Sequence, residues 1–218
     1  EIVIGNVTIE KGSNQTIEIP LPQLYNTPTQ LSVRVIRGLQ EGPTMFISAS
    51  IHGDEIIGIE IIRRFRKLKL LENLKGTIIL VPIVNVYGVL TRSRYLPDRR
   101  DLNRYFPGTP KGSLASRIAN IFLEEIVKKS DFGIDLHTAS HHRSNLPHIR
   151  TNIDDPLKRK LAKAFAAPVV LHSQLRDGSL RHQGDELGIP ILLYESGEAL
   201  RFDEASIRIG VQGIVNVL

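Results

Sequence analysis

Two kinds of hydrophobic pattern alternate along this chain. Short apolar or alternating runs predict strands, and apolar positions that recur every three or four residues predict helices. The predicted strands lie at residues 31–37, 44–51, 77–85, 132–138, 168–172 and 191–196. The predicted helices lie at residues 114–129, near 157–166 and near 179–187, and two more begin at Asp54 and Asp203.

Two of these helices carry recognisable N-terminal signals. Asp54 and Glu55 would lie in the first turn of one helix, where the helix dipole favours negative charge. Ser113 is suited to be the N-cap of the helix at 114–129. The apolar face of the helix that begins at Asp54 would consist of Ile57, Ile61, Ile62 and Phe65.

Two segments follow neither period. Residues 86–110 are rich in arginine, proline and aspartate, and the segment from residue 139 to Asp155 has no clear pattern either. We expect both to be loops. Long loops are unusual inside compact domains and are more often functional or disordered than idle, which directs attention to 86–110.

The order of strands and helices predicts the fold class. Their alternation is typical of a layered α/β domain, with a mostly parallel sheet covered on both faces, and we expect one domain over residues 1–218. Functional residues of such folds lie just beyond the carboxyl ends of strands. His52, His137 and Glu195 occupy such positions in the sequence.

Composition narrows the chemistry. Hydrophobic residues make up 41% of the chain and charged residues 23%, and no apolar run is long enough to span a membrane. The net charge of +5 is compatible with anionic ligands or with a solvated basic surface. Because the chain has no cysteine, disulfides and thiolate metal sites are excluded, and His, Asp and Glu remain as the strong ligands. We expect a reducing, cytoplasmic location, although the sequence begins with Glu1 rather than Met, which leaves room for a removed leader.

A set of candidate metal ligands lies at two strand ends. His52 and Glu55 are three residues apart across a strand-to-helix turn, where Gly53 can adopt backbone angles denied to other residues. This pair alone is a weak signal, since His-x-x-Glu often occurs by chance on a surface. His137, at the end of another buried strand, strengthens it, because two His and one Glu can hold a catalytic zinc with an open fourth position.

Three carboxylates are candidates for supporting roles. Asp135 lies on the same side of its strand as His137 and suits either a hydrogen bond to that imidazole or a salt bridge at the strand end. Glu195 follows the apolar run ILLY and is either structurally paired or catalytic. A zinc nearby favours the catalytic interpretation, because water attacking an amide needs a base. Glu198 is a weaker candidate, because it lies past the expected strand end.

The segment 86–110 concentrates positive charge. A solvated basic loop and a nucleic-acid contact are both conceivable, but its aromatic residues form no recognised nucleic-acid module and its acidic residues dilute the charge. We therefore expect no nucleic-acid partner. Arginine can instead bind a carboxylate in a bidentate manner, with asparagine adding a directional hydrogen bond. The arginines are Arg92, Arg94, Arg99, Arg100 and Arg104.

Four short motifs carry a resemblance to a known family. HGDE at 52–55, DLNRYFPG at 101–108, DLHT at 135–138 and YESG at 194–197 occur in the order and approximate spacing of the succinylglutamate desuccinylase/aspartoacylase family, a branch of the zinc carboxypeptidase superfamily. The resemblance spans about residues 44–218. It implies a three-layer α/β/α fold with a mostly parallel mixed sheet. It also implies a zinc-dependent hydrolase that cleaves the acyl amide of a small N-acyl amino acid or related anionic substrate by attack of a zinc-bound water.

The resemblance also implies residue roles. Glu195 resembles the base that activates water and later protonates the leaving amine. Arg94, with Arg92 as an alternative, is similar to the arginine that polarises the scissile carbonyl, and Asn103 and Arg104 resemble the pair that holds a substrate carboxylate. One zinc ion per chain is implied, with the ligands His52, Glu55 and His137.

Some features depart from aspartoacylase itself and leave the substrate open. The segment RSNLPHIR at 143–150 is more like the uncharacterised deacylases of the family, and we expect its Arg143, Asn145 and Arg150 to order a loop rather than contact substrate. Arg181 is a further candidate to face the pocket. The sequence stops at Leu218, so the C-terminal β-rich domain of many relatives is expected to be absent or truncated. The other histidines are expected to be surface or hydrogen-bonded residues: His141, His142, His148, His172 and His182.

Two other functions remain open at this point. A metallocarboxypeptidase acting on peptides would use the same ligands, and a catalytically silent metal-binding or ligand-binding domain would keep the same fold. The sequence does not indicate an oligomeric state.

Overall fold

The computed structural model describes residues 2–24 and 26–218, so Glu1, where the expected domain begins, lies outside the described residues. The strands are β1 (Val3–Ile4), β2 (Val7–Thr8), β3 (Asn14–Pro20), β4 (Gln30–Arg37), β5 (Gln40–Ala49), β6 (Lys75–Val81), β7 (Phe132–Ala139), β8 (Asn145–Thr151), β9 (Val169–His172) and β10 (Ile191–Glu198). The helices are α1 (Ile57–Phe65), α2 (Val86–Thr91), α3 (Leu114–Glu125), α4 (Pro156–Phe165), α5 (Leu180–Glu186) and α6 (Glu204–Val217). Short 3-10 turns lie at Lys69–Asn73, Leu102–Arg104 and Val127–Lys129.

Eight strands form one sheet in the order β3-β4-β6-β5-β7-β10-β8-β9. The pairs β5 with β6, β5 with β7, β7 with β10 and β8 with β9 are parallel. The pairs β3 with β4, β4 with β6 and β8 with β10 are antiparallel. The predicted mixed, mostly parallel sheet is therefore confirmed, and the carboxyl ends of β5, β7 and β10 meet at one edge.

Apolar residues cover both faces of this sheet, as the strand pattern predicts. Phe46 on β5 packs edge-on against Phe122 of α3, with ring centroids 6.0 Å apart. On the opposite face, Phe165 of α4 packs against Tyr194 of β10 at 5.1 Å. Residues that alternate along one strand thus enter two separate cores, which is the period-two behaviour of a strand buried on both sides. Among the described residues, no helix is both long and apolar enough to cross a membrane.

Helix α1 begins later than the sequence predicts. Its first helical residue is Ile57, so Asp54 and Glu55 precede the helix rather than lie in its first turn. The reason is a tight turn, in which the amide of Glu55 donates to the carbonyl of His52 at 3.1 Å. The Ser50 hydroxyl also donates to the carbonyl of Glu55 at 2.9 Å, so both backbone groups of Glu55 are bonded within this turn.

The two expected loops each contain regular structure. Helix α2 occupies part of 86–110, because the Asn85 side chain caps it by accepting from the amide of Gly88 at 2.8 Å. Strand β8 occupies part of the segment from 139 to Asp155 and pairs on both sides, with β10 and with β9. Its sequence NLPHIRT hides the strand, since proline and polar residues take positions where an alternating apolar pattern would be expected. The expectation of a loop was wrong for residues 86–91 and 145–151, whereas most of the remainder of both segments is irregular.

Candidate active site

Three buried side chains converge where β5 and β7 end. His52 lies in the turn after β5, His137 lies near the end of β7, and the two strands are parallel neighbours. The Glu55 carboxylate lies between the two imidazoles, with Oε1 2.7 Å from His52 Nδ1 and Oε2 2.8 Å from His137 Nδ1. The structure therefore brings together the three residues that the sequence proposes as metal ligands.

Gly53 has a different function from the one expected. Its φ is not positive, so the turn does not need the backbone freedom of glycine. A Cβ at this position would lie 2.0 Å from the carbonyl carbon of Gly88, within α2. Gly53 is required because the ligand-bearing turn packs directly on the backbone of α2, which fixes His52 and Glu55 against a rigid element.

Each imidazole is oriented from its outer side by a carboxylate. His137 Nε2 lies 2.6 Å from Asp135 Oδ2, and the Ser48 hydroxyl donates to Asp135 Oδ1 at 2.7 Å. His52 Nε2 lies 3.1 Å from Asp101 Oδ1. Both rings therefore present Nδ1 to the interior, which is how outer carboxylates usually orient histidine ligands. Asp135 lies where the sequence suggested, whereas sequence reasoning gave Asp101 no role.

Electrostatics keeps this cluster ionised. Burial acts to raise the pKa of Glu55, but the charges of His52 and His137 outweigh it and hold that pKa well below its usual range. Burial acts to lower the pKa of His137, but Asp135 and Glu55 raise it well above its ordinary value. The pKa of His52 is raised against burial by Glu55 and Asp101. The shifts in pKa of all three groups thus run against the effect of burial.

The donor set fits a metal ion. His52, Glu55 and His137 each offer one ligand atom, and these atoms lie within 4.8 Å of one another. Two imidazole nitrogens and one carboxylate oxygen suit a divalent cation with an open position for water or substrate. The site could therefore hold a metal. A second group with ligand atoms this close, His141, His142 and Glu198, is mostly exposed.

Glu195 faces the same cavity from the neighbouring strand. Its Cα pairs in register with that of His137, so both side chains lie on one face of adjacent parallel strands. Glu195 Oε1 accepts a hydrogen bond from Asn145 at 2.7 Å, and Oε2 lies 3.1 Å from Arg150 Nε. The rival Glu198 does not line the cavity, because it accepts from the amide of His142 at 2.9 Å and pairs with Arg201 at 3.1 Å.

Arg94 lies beside the three candidate metal ligands, His52, Glu55 and His137. Its Nη1 is 3.3 Å from Glu55 Oε1 and its Nη2 is 3.1 Å from Asp101 Oδ2, so one guanidinium spans an inner and an outer carboxylate. Arg94 lines the cavity, whereas Arg92 ends α2 in a left-handed conformation with φ 53° and does not line it. The geometry thus favours Arg94 over Arg92 for a role at the reacting centre.

Asn103 is held at the cavity wall by the start of α5, and Arg104 follows it in the chain. The Asn103 side-chain oxygen accepts from the amide of Leu180 at 2.9 Å, which leaves its amide nitrogen available as a donor. Arg104 donates to the carbonyl of Asn103 at 2.5 Å. The two predicted carboxylate-binding residues therefore lie side by side, and their role in binding stays a prediction.

The cavity itself has a volume of about 330 Å³ and a lining in which polar surface predominates. Sequence reasoning expected Arg143, Asn145 and Arg150 to order a loop, but Asn145 and Arg150 belong to β8 and contact Glu195. The sequence did contain a signal for this contact, because a charged residue such as Arg150, within a strand that has neighbours on both sides, must face either solvent or a polar site. The arginines that line the cavity are Arg94, Arg104, Arg143, Arg150, Arg176 and Arg181.

Comparison with known proteins gives a consistent result. Residues 41–218 match the family described as the succinylglutamate desuccinylase/aspartoacylase catalytic domain. The chain is 33% identical over 137 residues to the N-alpha-acetyl-L-2,4-diaminobutyric acid deacetylase of Halomonas elongata, covering 60% of this chain and 40% of that protein. It is 31% identical over 186 residues to the succinylglutamate desuccinylase of Photorhabdus laumondii, covering 74% of this chain and 55% of that protein.

A solved structure extends the similarity to three dimensions. A succinylglutamate desuccinylase/aspartoacylase from Rhodobacter sphaeroides superposes with a TM-score of 0.86 at 29% identity. The alignment covers 97% of this chain and 66% of that one. The chain thus spans only about half the length of the curated relatives that it matches.

Proposed function

Because this chain belongs to the succinylglutamate desuccinylase/aspartoacylase family, we propose that it hydrolyses the acyl amide of a small N-acyl amino acid or related anionic compound. Residues 1–218 would act as one catalytic domain. His52, Glu55 and His137 would hold one zinc ion. Relatives with names of this kind, a deacetylase and a desuccinylase, support the class of reaction.

One observation carries the proposal. The Glu195 side chain lies on the same face as His137, on the adjacent strand and in the same cavity as the three metal-binding residues. Zinc bound there would polarise a carbonyl and make water more acidic. A carboxylate within such a cavity is well placed to take a proton from the attacking water and to deliver it to the departing amine.

The other cavity residues have complementary roles. Arg94 would donate to the carbonyl oxygen, whose negative charge grows only as the tetrahedral intermediate forms, so this contact would favour the transition state over the substrate. The Asn103 amide and the Arg104 guanidinium would hold the substrate carboxylate. Asn145 and Arg150 would keep the Glu195 carboxylate in one orientation.

A pair of glutamate variants on one strand tests the proposal. Zinc content and hydrolysis of N-acyl amino acids are measured for wild type, Glu195→Gln and Glu198→Gln. We expect Glu195→Gln to retain zinc and to lose at least about 100-fold in kcat, since a general base contributes about that much. Glu198→Gln should stay near wild type, because Glu198 lies outside the cavity. Undiminished turnover by Glu195→Gln would remove that residue from the mechanism.

The same assay decides between this function and its rivals. A panel of N-acyl amino acids and short peptides is incubated with the zinc-loaded protein. Faster cleavage of the peptides would favour a metallocarboxypeptidase. Binding without any product would indicate a silent ligand-binding domain, and a single measured turnover eliminates that possibility.

A further inference from the structure

Two adjacent histidines lie on the turn between β7 and β8 (the β7–β8 turn, residues 140–144). A hydrogen bond from the amide of Arg143 to the carbonyl of Ser140, at 3.1 Å, closes this turn. His141 and His142 occupy its two central positions, and both are exposed. Ser140 and Arg143 line the cavity, whereas the two histidines between them do not, so the pair lies just outside the cavity.

The backbone of the β7–β8 turn brings the two imidazoles to the same side. His142 has a φ of 62°, in the left-handed region that residues other than glycine seldom adopt. Successive side chains of an extended chain point in opposite directions, but the ring centroids of His141 and His142 are only 3.8 Å apart. The turn thus collects two nitrogen donors by means of an unfavourable backbone conformation, which is a feature that clusters at functional sites.

A carboxylate joins these imidazoles from the neighbouring strand. Glu198 lies at the end of β10, where its Cα pairs with that of Ala139 at the end of β7. Its Oε1 accepts a hydrogen bond from the amide of His142 at 2.9 Å, which holds the carboxylate beside the turn. Its Oε2 lies 3.1 Å from Arg201 Nε, but the Arg201 side chain is 73% exposed, so this ion pair is weak. Glu198 therefore adds a partly buried oxygen donor.

The two rings have no other polar partner. Within residues 2–24 and 26–218, neither ring makes a hydrogen bond or an ion pair, whereas each of the other five histidines has a carboxylate or a carbonyl partner. One ligand atom from each of His141, His142 and Glu198 nevertheless lies within 4.8 Å of the other two. Ligand atoms about 2.0–2.2 Å from one zinc ion lie up to about 4 Å apart, so a small rotation of the side chains would bring all three atoms around one ion.

We propose that His141, His142 and Glu198 form a second metal site, which binds a divalent transition-metal ion such as Zn²⁺ just outside the cavity. Two imidazole nitrogens and a carboxylate oxygen suit such an ion, and water completes its coordination. A bound ion joins the β7–β8 turn to the end of β10 and so restrains Ser140 and Arg143 at the cavity wall. The site does not depend on the proposed hydrolysis, because its ligands are separate from the buried set.

The second site should bind zinc more weakly than the buried site. Each buried imidazole is oriented by an outer carboxylate, whereas the rings of His141 and His142 have no such support among the described residues. Loss of one such support typically weakens metal binding about 10- to 100-fold, so the lack of two implies an affinity at least about 100-fold lower. A zinc titration should therefore show two separable binding events.

Equilibrium dialysis against zinc, followed by metal analysis, tests the site in the full chain. We expect wild type to bind two ions at saturation. His141→Ala, His142→Ala and Glu198→Gln should each weaken the second event by at least about 10-fold, since a direct ligand should matter no less than an outer support. His172→Ala is the matched control, because His172 is an exposed histidine outside the cluster. The buried zinc of each variant reports that the chain has folded.

Three outcomes would overturn the proposal. They are saturation at one ion in excess zinc, a second ion that all three ligand variants retain, and a second ion that His172→Ala loses equally. Glu55→Gln should lose the tight event and keep the weak one. If the weak event follows its ligands but no amide is hydrolysed, the second metal site stands and the deacylase function fails. If amides are hydrolysed by a chain that binds one ion, the reverse holds.

Chemical protection locates the ion without any change in the turn. Zinc-free and zinc-saturated wild type are treated with diethyl pyrocarbonate, which acylates accessible neutral imidazoles, and the modified peptides are identified by mass spectrometry. Zinc should protect His141 and His142 and leave His172 reactive. Equal modification of His141 and His142 in both samples would overturn the proposal, and this result does not depend on whether any variant folds.

Discussion

Two groups of charged residues in this molecule contrast sharply. On the surface between α1 and α6, every arginine has a carboxylate: Arg63 and Arg64 contact Glu60, at 2.5 and 2.7 Å, and Arg64 and Arg208 contact Glu204, at 2.8 and 2.7 Å. In the cavity, four of six arginines lack one among the described residues. The arginines of the surface group are all paired within the group, whereas most of the cavity arginines have no ion-pair partner among the described residues.

The two groups differ in how they affect the free energy of folding. Exposed ion pairs contribute little to stability, since water screens them and ordering long side chains costs entropy. Charges removed from water are costly unless they are fully paired, as the Glu55 carboxylate is between His52 and His137. Among the four cavity arginines without an ion pair, only Arg181 is partly buried and the other three are exposed, so binding explains an unpaired charge better than stability does at Arg181 alone.

The largest effect should follow the removal of the central charge in the cavity. Glu55→Gln keeps the shape of the side chain but removes the carboxylate that lies between His52 and His137. We expect the loss of zinc and a fall in kcat of at least about 1000-fold, because the transition state would lose several kcal/mol of electrostatic stabilisation by the metal. Metal analysis and the amide assay measure both properties. A variant that kept its zinc and its activity would show that Glu55 is not a ligand.

The next largest effect should come from Arg94, which contacts the candidate metal ligand Glu55. Arg94→Met should lower kcat by about 100- to 1000-fold with little change in KM, as for other groups that stabilise a developing oxyanion. The corresponding change at Arg92, which lies outside the cavity, should leave both constants near wild type. A large effect at Arg92 and none at Arg94 would reverse the assignment.

A smaller effect is expected for the outer carboxylates. Asp135→Asn and Asp101→Asn should each weaken zinc affinity by about 10- to 100-fold, because each carboxylate orients the Nε2 side of one imidazole. Competition with a chromogenic chelator measures the affinity. Asp98→Asn is the control, since Asp98 lies in the same segment as Asp101 but pairs with Arg100 and contacts neither imidazole. If Asp98→Asn weakened zinc binding as much, the effect would be one of general charge.

The sequence predicts the three candidate metal ligands better than the residues around them, because each ligand lies at a strand end or in the turn that follows one. His52 and Glu55 are neighbours in one turn, and His137 follows a buried strand, so adjacent residues and strand ends were enough to find them. Asp101 reaches His52 from a segment 49 residues away, and no periodicity indicates that contact. Asp101 precedes a 3-10 turn in an irregular segment, so it lies at no strand end that would have marked it as a candidate.

The strand β8 was missed for a related reason. A strand is recognised by apolar alternation, but Asn145, His148 and Arg150 replace it with polar side chains that lie beside Glu195. Apolar alternation therefore failed to identify β8, whose polar residues contact Glu195; such exceptions to the usual pattern are expected at functional sites. The central strands β5, β7 and β10, whose residues enter two apolar cores, were predicted correctly.

The smallest effect should come from the surface network, and its pH dependence is determined by its carboxylates. Hydrogen bonds from Arg63 and Arg64 hold the pKa of Glu60 at about 2, and those from Arg64 and Arg208 hold the pKa of Glu204 at about 2. Both values are below those of the unfolded chain, so the stabilisation is fully present above the unfolded pKa of about 4.3 and is lost as pH falls towards 2.

Arg64→Gln should therefore lower Tm by no more than a few degrees near neutral pH, and the difference from wild type should shrink as the pH falls below about 4. Thermal unfolding followed by circular dichroism at several pH values measures it. Turnover should not change, because Arg64 lies outside the cavity. A Tm loss that grew on acidification, or one accompanied by loss of activity, would contradict the contrast between a surface network whose arginines are all paired and a cavity whose arginines mostly are not.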